Sequence, residues 1–146
     1  MRELTHAEIE ELLGAQVVGR IGCHAGGLTY VVPIIYALEG DCIYAVSVEG
    51  QKIRMMRDSP NVCFEVDEYD GRGSWRSVIV QGSYEELAGA EVARALSLLT
   101  ERFAARRGDG PRDRSLETDG RPTVAFRIRI REATGRAVDR SQPAGS

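Results

Sequence analysis

The chain has 146 residues and a mass of 16.0 kDa, and 42% of its residues are hydrophobic, which suits one compact domain with a core of its own. Its 19 basic and 22 acidic residues give a net charge of -3, so charge provides no basis for nonspecific binding to nucleic acids or anionic membranes. We therefore predict small-molecule ligands, no nucleic-acid partner and no membrane partner.

The first part of the chain predicts one helix and then β-structure. Thr5 and Glu8 form a capping-box pattern ahead of apolar residues at helical spacing, which predicts a short helix ending near Gly14. Three β-rich runs separated by glycine-containing turns follow, and we predict that they are antiparallel strands. These runs cover residues 17–23, 29–38 and 42–47.

The second part predicts helices inserted between further strands. A short basic helix is expected from Gln51 to Arg57, and Pro60 separates it from the next strand. Gly82 lies inside a long strand candidate and permits a bulge that would curl the sheet. The remaining elements are strands at 62–67, 75–87 and 123–131, and a helix at 90–105 whose apolar residues follow helical spacing.

Six strands with short helices between them predict a mainly β fold of the α+β kind, arranged as an antiparallel barrel with short flanking helices. We predict a single domain over residues 1–138, a mobile loop over 106–121 and a flexible tail over 139–146. Three cysteines set among apolar residues indicate free core thiols, and no apolar signal segment opens the chain. These features predict a soluble, unprocessed protein in the cytoplasm.

The junction between the third strand and the basic helix has the features of a phosphate site. Ser47 supplies a hydroxyl, Gly50 lets a ligand approach the backbone, and Lys52 adds a charge at a helix N-terminus. Glu49 opposes this interpretation unless its side chain points away, and the Walker pattern is absent. The alternative is an ordinary strand-to-helix connection with a solvated lysine.

Two further segments allow either a ligand contact or a structural role. Trp75, with Arg76 and Ser77 beside it, either borders a planar ligand or covers one end of the barrel. Pro33 interrupts its strand, leaving backbone groups that face a ligand or merely an edge. No catalytic constellation is recognisable, and Cys23-His24 lacks the further ligands that a metal or haem would need. We therefore predict no metal site and leave the catalytic residues unknown.

Taken together, residues 43–52, 59–67, 75–82 and 134–136 resemble the FMN-binding split-barrel superfamily of pyridoxamine 5′-phosphate oxidase. The resemblance covers about residues 18–135 and is strongest to the nitroimidazole-resistance, nitroreductase-like branch. It implies a six-stranded split barrel that forms a homodimer with FMN at the subunit interface. By position it assigns Gln51 and Lys52 to the phosphate, Val46 and Ser47 to its approach, Val32, Pro33, Ile34, Ile35 and Tyr36 to the isoalloxazine, and Trp75, Arg76 and Ser77 to its border.

The resemblance implies an FMN-dependent oxidoreductase that passes electrons from reduced nicotinamide to a small electrophile such as a nitro compound or a quinone. The oxidase's C-terminal arginine and histidine motif is absent from residues 126–140, so a true pyridoxamine phosphate oxidase is not expected. Gln51-Lys52 replaces a pair of basic residues, and Ala45-Val46 stands where many nitroimidazole-resistance relatives have a histidine. Three alternatives stay open: a deazaflavin or haem in place of FMN, a noncatalytic flavin-binding module, and a ligand-free barrel acting in assembly.

Overall fold

The computed structural model of the protein describes residues 1–107 and 121–140, and within them three helices accompany an eight-stranded antiparallel sheet. The strands are β1 (Arg2–Glu3), β2 (Val18–Ala25), β3 (Leu28–Ile35), β4 (Ala37–Glu39), β5 (Cys42–Val48), β6 (Asn61–Tyr69), β7 (Trp75–Glu86) and β8 (Thr123–Val138). The helices are α1 (His6–Ala15), α2 (Gln51–Asp58) and α3 (Ala90–Arg107). Most of the predicted 106–121 loop and residues 141–146 of the predicted tail lie outside the described residues.

The sheet runs in the order β3-β2-β6-β7-β8-β5-β4, and β1 pairs with β8. The end strands β3 and β4 do not pair with each other, so the curved sheet stays open, as in a split barrel. The predicted fold class is therefore confirmed. Its six strands correspond to the six described strands of seven residues or more, and β1 and β4 are two short additions.

One detail of the predicted β-structure is wrong. The run 29–38 is not interrupted at Pro33 but divides at Tyr36 into β3 and β4. Pro33 is tolerated because β3 is an edge strand, where a residue without an N–H leaves no neighbouring strand unpaired. The three runs form antiparallel strands as predicted, and β5 pairs with β4 and β8.

A bulge between β7 and β8 bends the sheet where the sequence predicts it. Gln81 lies opposite Glu132 and Gly82 lies opposite Ile130, so Arg131 is the extra residue. A Cβ atom on Gly82 would lie 2.5 Å from the Cγ2 atom of Ile128, so glycine is required for this close approach of the two strands.

The bulge reverses which side chains of β8 face the core. Before Arg131 the residues that face the core are even-numbered, namely Val124, Phe126 and Ile128. After Arg131 they are odd-numbered, namely Gly135 and Ala137. The predicted end of this strand at Arg131 is therefore wrong, because the strand continues to Val138 with the opposite alternation.

The helices pack against the sheet and cover part of the core. The predicted capping box of α1 is present, since Thr5 Oγ1 accepts from the Glu8 N–H at 3.2 Å and the Glu8 carboxylate accepts from the Thr5 N–H at 3.0 Å. The Tyr36 hydroxyl donates to the Leu13 carbonyl, which fastens α1 to the sheet. None of the described helices has both the length and the apolar character needed to cross a membrane.

Candidate functional site

The strongest predicted feature, the junction between β5 and α2, is a polar cradle formed by Ser47 and Lys52. Gly50 is the N-cap of α2 and has no side chain, so the first-turn N–H groups have no side-chain cap. Lys52 Nζ donates to Ser47 Oγ, and Ser47 Oγ donates to the Val48 carbonyl at 3.1 Å. Because an ammonium group has three donors, two remain for a ligand. We call this group of residues, Ser47 to Lys52, the cradle.

Lys52 is a half-buried cation without a counter-ion. It is the only lysine of the chain, and it forms no ion pair with any carboxylate in the described part of the structure. Burial lowers the pKa of Lys52, and the neighbouring Cys23 acts in the opposite direction. Removing an ammonium group from water without a counter-charge is unfavourable, so the cradle favours an anionic ligand.

Glu49 does not compete for this cation. Its carboxylate pairs with the Arg57 guanidinium at 2.8 Å, and Arg57 also contacts Glu86 at 2.7 Å. The sequence allowed a phosphate site only if the Glu49 side chain points away from it. The pairing of Glu49 with Arg57 meets this condition.

The backbone conformation and packing at position 50 do not require a glycine. Its φ of -172° is extended backbone that any residue adopts, and a Cβ atom would find only the Val48 carbonyl oxygen within 4 Å, at 3.8 Å. A glycine that the surrounding chain does not require is consistent with a ligand that approaches the backbone closely.

Two depressions contain predicted site residues. An open groove of about 530 Å³ runs along α2 beside the turn between β2 and β3, and it is lined by Ala25, Gly26, Gln51, Arg54, Met55, Arg57 and Asp58. A smaller cleft of about 140 Å³ lies beside α3 and is lined in part by Val46, Val92 and Leu96. Gln51 and Val46, both predicted site residues, therefore line two separate depressions, and the one with Val46 lies on the α3 side of β5.

The remaining predicted residues do not join the cradle within one chain. Ser47 pairs with Val124 at the beginning of β8, whereas Ser77 pairs with Arg136 near its end. At about 3.3 Å per residue, the strand between these two positions is about 40 Å long. The structure thus brings Ser47 and Lys52 into contact beside Gln51, turns Val46 to the opposite face of β5 towards α3, and leaves Trp75, Arg76 and Ser77 at the opposite end of β8.

Arg76 is occupied by carboxylates. Its guanidinium contacts Glu68 at 3.0 Å and Glu11 at 3.5 Å. Trp75 is half-buried and pairs with Tyr69 and Val138 across the sheet. The indole is therefore partly open at the edge of the molecule, and the guanidinium is held by its own chain.

The segment Val32 to Tyr36 has two faces. Ile34 and Tyr36 are 7% and 1% exposed, and the Tyr36 ring packs on Phe64 with a centroid distance of 4.9 Å. Their side chains serve the core, while Pro33 and Ile35 alternate to the outside of β3.

Pro33 belongs to an uncovered side of the sheet, which we call the open face. Its central row crosses four strands as Pro33, Arg20, Glu65 and Ile79. Val18, Val31 and Ile79 on this side are 48%, 64% and 44% exposed. Large apolar side chains on one flat surface indicate a contact with another molecule.

One carboxylate of the open face is electrostatically unusual. Desolvation, followed by the hydrogen bond and the charge of Asp67, raises the pKa of Glu65 to about 7. Arg20 bridges the pair, at 3.3 Å from Glu65 and 3.1 Å from Asp67, and opposes this shift.

Sequence reasoning missed Arg54, which lines the groove. Its place three residues after Gln51, on the same helical face, was the available signal. The Cys23-His24 pair is separated, because Cys23 is buried and His24 is exposed on successive residues of a strand. The residues that the structure describes contain no group of three or more side chains able to hold a metal ion.

Comparison with known proteins agrees with the fold. Residues 5–137 match the model of the pyridoxamine 5′-phosphate oxidase family, and the chain belongs to this family. The predicted family resemblance is therefore confirmed.

Individual relatives cover nearly the whole chain. An uncharacterized protein of Rhizobium meliloti is 32% identical over 144 residues, which are 94% of this chain and 95% of that protein. The crystal structure of a FAD-binding protein of Mesorhizobium loti is 36% identical, with a TM-score of 0.76 over 94% of this chain and 98% of that chain. A proposed 5-nitroimidazole antibiotic resistance protein of Bacteroides thetaiotaomicron, 20% identical, has a TM-score of 0.72 over 94% of this chain and 90% of that chain and shares the fold.

Proposed function

We propose that the protein is a flavin-dependent oxidoreductase that holds the flavin phosphate in the cradle. The observation that carries this proposal is Lys52, a half-buried cation at a helix N-terminus without a side-chain cap, for which residues 1–107 and 121–140 supply no counter-ion. The family and the Mesorhizobium loti relative, a FAD-binding protein, support a flavin as the anion. FMN is the smallest flavin that supplies the required phosphate.

The residues of the chain then have separate tasks. Lys52 neutralises the phosphate, the first-turn N–H groups of α2 donate to its oxygens, and Ser47 holds the ammonium group in place. Gln51, which lines the groove along α2, offers a neutral donor where a second charge is missing. A bound flavin would accept a hydride from reduced nicotinamide and pass electrons to a nitro compound or quinone. No side-chain acid or base of this chain is needed for that transfer.

The active form that we propose is a homodimer with the flavin between its subunits. Within one chain Trp75 and Ser77 lie at the far end of β8 from the cradle, and a second chain that brings such residues to the cradle would complete the predicted site. The apolar open face, with Val31 and Ile79, offers a surface for that second chain. A homodimer of this kind would explain why the predicted site residues lie at two ends of β8 within one chain.

A labelling experiment tests the cradle directly. Because Lys52 is the only lysine, the amines that acetic anhydride can acetylate are that of Lys52 and the α-amino group, and peptide mass spectrometry distinguishes the two from each other and from acetylated tyrosine or cysteine. We expect FMN to protect Lys52, riboflavin to protect it much less because it lacks the phosphate, and the α-amino group to react equally in all samples. Equal acetylation of Lys52 with and without FMN would overturn the phosphate assignment.

Turnover is tested separately. We expect the flavin-loaded protein to oxidise reduced nicotinamide when menadione or a nitroaromatic compound is supplied, followed by the loss of absorbance at 340 nm. The matched control is the Lys52→Ala variant, which should lose both flavin and turnover. Flavin binding without turnover of either acceptor would instead favour the noncatalytic flavin-binding module.

A further inference from the structure

Two aromatic side chains lie side by side at one end of the open face. Tyr69 and Trp75 are directly opposite each other on β6 and β7, and Val138 of β8 lies in the same row. Directly opposite residues of antiparallel strands point to the same side of the sheet, with Cβ atoms about 4.5–5.5 Å apart. Trp75 shares its side of β7 with Ile79, four residues further on, so both rings belong to the open face. We call Tyr69 and Trp75 the aromatic pair.

Both rings of the aromatic pair remain available to a ligand. Tyr69 is 65% exposed and Trp75 is half-buried, and neither packs on another aromatic ring within residues 1–107 and 121–140. The phenol O–H and the indole N–H have no hydrogen-bond partner in the same part of the chain. No buried side-chain polar atom described there lacks a partner, so the unpaired indole N–H is open to solvent. Two aromatic surfaces with two free donors suit a ring that carries acceptor atoms at its edge.

The acidic groups around the aromatic pair already have partners. The Asp70 carboxylate accepts from the N–H groups of Arg72 and Ser74 at 2.6 and 3.1 Å, which lowers the pKa of Asp70. The Glu68 carboxylate contacts the Arg76 guanidinium at 3.0 Å. These carboxylates therefore leave the phenol O–H and the indole N–H free to donate to a ligand.

The turn that leads into Trp75 is fixed by hydrogen bonds. The Asp70 N–H donates to the Ser74 carbonyl at 3.1 Å, which closes the turn between β6 and β7. The Arg140 N–H donates to Ser74 Oγ at 2.8 Å, so the chain beyond β8 is fastened to the same turn. A site on paired strands with a hydrogen-bonded turn positions its rings more precisely than a site on a free loop.

The aromatic pair lies next to the predicted border of the flavin ring. Trp75 is two residues from Ser77 on the same side of β7, which is about 7 Å along the strand. The family resemblance assigns Ser77 to the border of the isoalloxazine, and the homodimer that we propose brings the cradle of a second chain to this end of β8. A small molecule held by the aromatic pair would therefore lie beside the bound flavin.

We propose that Tyr69 and Trp75 form the docking site of the electron acceptor, and that this acceptor is a flat aromatic ring with oxygen atoms at its edge, such as a quinone or a nitroaromatic compound. Electron-rich phenol and indole rings pack on the electron-poor ring, and their two donors bind its carbonyl or nitro oxygens. The inference rests on the proposed function, because it takes the flavin as the source of the electrons. Ferricyanide, which is neither flat nor aromatic, makes none of these contacts.

The fluorescence of Trp75 gives a direct test of binding, because it is the only tryptophan of the chain. Menadione is titrated into the flavin-free protein, and the intensity and lifetime of the emission are recorded. We expect a saturable loss of intensity with an unchanged lifetime, which indicates a bound complex and not collisions. Tyr69→Leu should weaken this binding about 10-fold, and Tyr69→Phe, which keeps the ring, by at most about threefold. Arg72→Gln, at an exposed residue of the same turn, is the matched control and should bind as the wild type does.

Turnover with two acceptors separates docking of the acceptor from flavin binding. In flavin-loaded Tyr69→Leu we expect the KM for menadione to rise about 10-fold with kcat within about twofold, because the lost contacts act on binding. Turnover with ferricyanide should stay at the wild-type value. The visible spectrum establishes that the variants carry equal amounts of flavin, and circular dichroism establishes that each is folded.

The outcomes distinguish this inference from the proposed function. A folded wild type that binds no flavin, or that transfers electrons to neither acceptor, would overturn the proposed function. Normal turnover with ferricyanide, together with an unchanged menadione KM in Tyr69→Leu, would overturn the docking site alone. The docking site would also be excluded by purely collisional quenching of Trp75, or by an indole that acrylamide cannot reach because a second chain covers it.

Discussion

We expect Lys52 to lower the stability of the flavin-free protein and to strengthen flavin binding. These opposite effects give the most direct prediction. In the flavin-free protein the half-buried ammonium group has the Ser47 hydroxyl as its one hydrogen-bond partner among the described residues, and desolvation lowers the pKa of Lys52. Lys52→Met keeps an unbranched side chain one atom shorter and removes the charge. We expect the free energy of unfolding of the flavin-free protein to rise by about 1 kcal/mol, because removal of an unpaired buried charge outweighs one neutral contact.

The same substitution should weaken flavin binding. A charge-assisted hydrogen bond contributes about 1.5–3 kcal/mol, which corresponds to a loss of about 10-fold to 150-fold in FMN affinity. The melting temperature of the flavin-free variant should exceed that of the wild type by about 2–4 °C. With FMN at about 100 times the wild-type Kd, the wild type gains about 2.7 kcal/mol and should become the more stable protein.

This reversal in the order of stability can be measured by thermal unfolding with and without FMN. The proteins to compare are the wild type, Lys52→Met and Lys52→Arg. Lys52→Arg keeps the charge and should retain part of the flavin-induced gain. The reasoning is refuted if Lys52→Met lowers the stability of the flavin-free protein while the gain on adding FMN stays at the wild-type value. Lys52 would then be a structural residue of the β5–α2 junction.

Three other perturbations test the fold and the proposed assembly. Gly82→Ala should lower the free energy of unfolding, measured by urea titration, by about 2 kcal/mol or more, because the added Cβ would lie 2.5 Å from Ile128 Cγ2 and 2.7 Å from the Arg129 carbonyl oxygen. A decrease below about 0.5 kcal/mol would contradict the close strand approach at the bulge. Since the native pKa of Glu65 is about 7 and lies above its unfolded value, the native state binds more protons between about pH 4.5 and 7, so stability should fall as the pH rises through that window. Glu65→Gln should remove this fall, and identical pH profiles for the two proteins would contradict the pKa. Ile79→Arg, at a side chain that is 44% exposed in a single chain, should convert the dimer to a folded monomer with weakened flavin binding in light-scattering and titration experiments; an unchanged dimer would exclude the open face as the interface.

Local sequence signals predicted most elements of the fold because their causes are local. The capping box of Thr5 and Glu8 specifies the start of α1, and the glycine turns separate strands that then pair as hairpins. The length of β8 was not predictable in the same way. The bulge at Arg131 reverses its alternation, so a pattern with a period of two stops there although the strand continues.

The candidate site shows the same division between local and distant contacts. Ser47 and Lys52 are five residues apart across a strand-to-helix junction, so the sequence alone places them together. The pairing of Glu49 with Arg57 and Glu86 depends on side-chain directions and on β7, which no spacing in the sequence specifies. The distance of Trp75 from the cradle depends on strand pairing, and a resemblance by position does not reveal which chain contributes a residue.

The ion pairs around α2 explain how the cradle keeps its cation available. Arginine forms planar bidentate contacts with carboxylates, and Arg57 uses this geometry to hold Glu86 while a third nitrogen pairs with Glu49. Lysine is a compact point charge, and it occupies the position that has no acid beside it. Because Arg57 holds Glu49, the nearest carboxylate in the sequence does not neutralise Lys52. The arrangement therefore maintains, at a cost in the stability of the flavin-free protein, a positive charge that an incoming phosphate can neutralise.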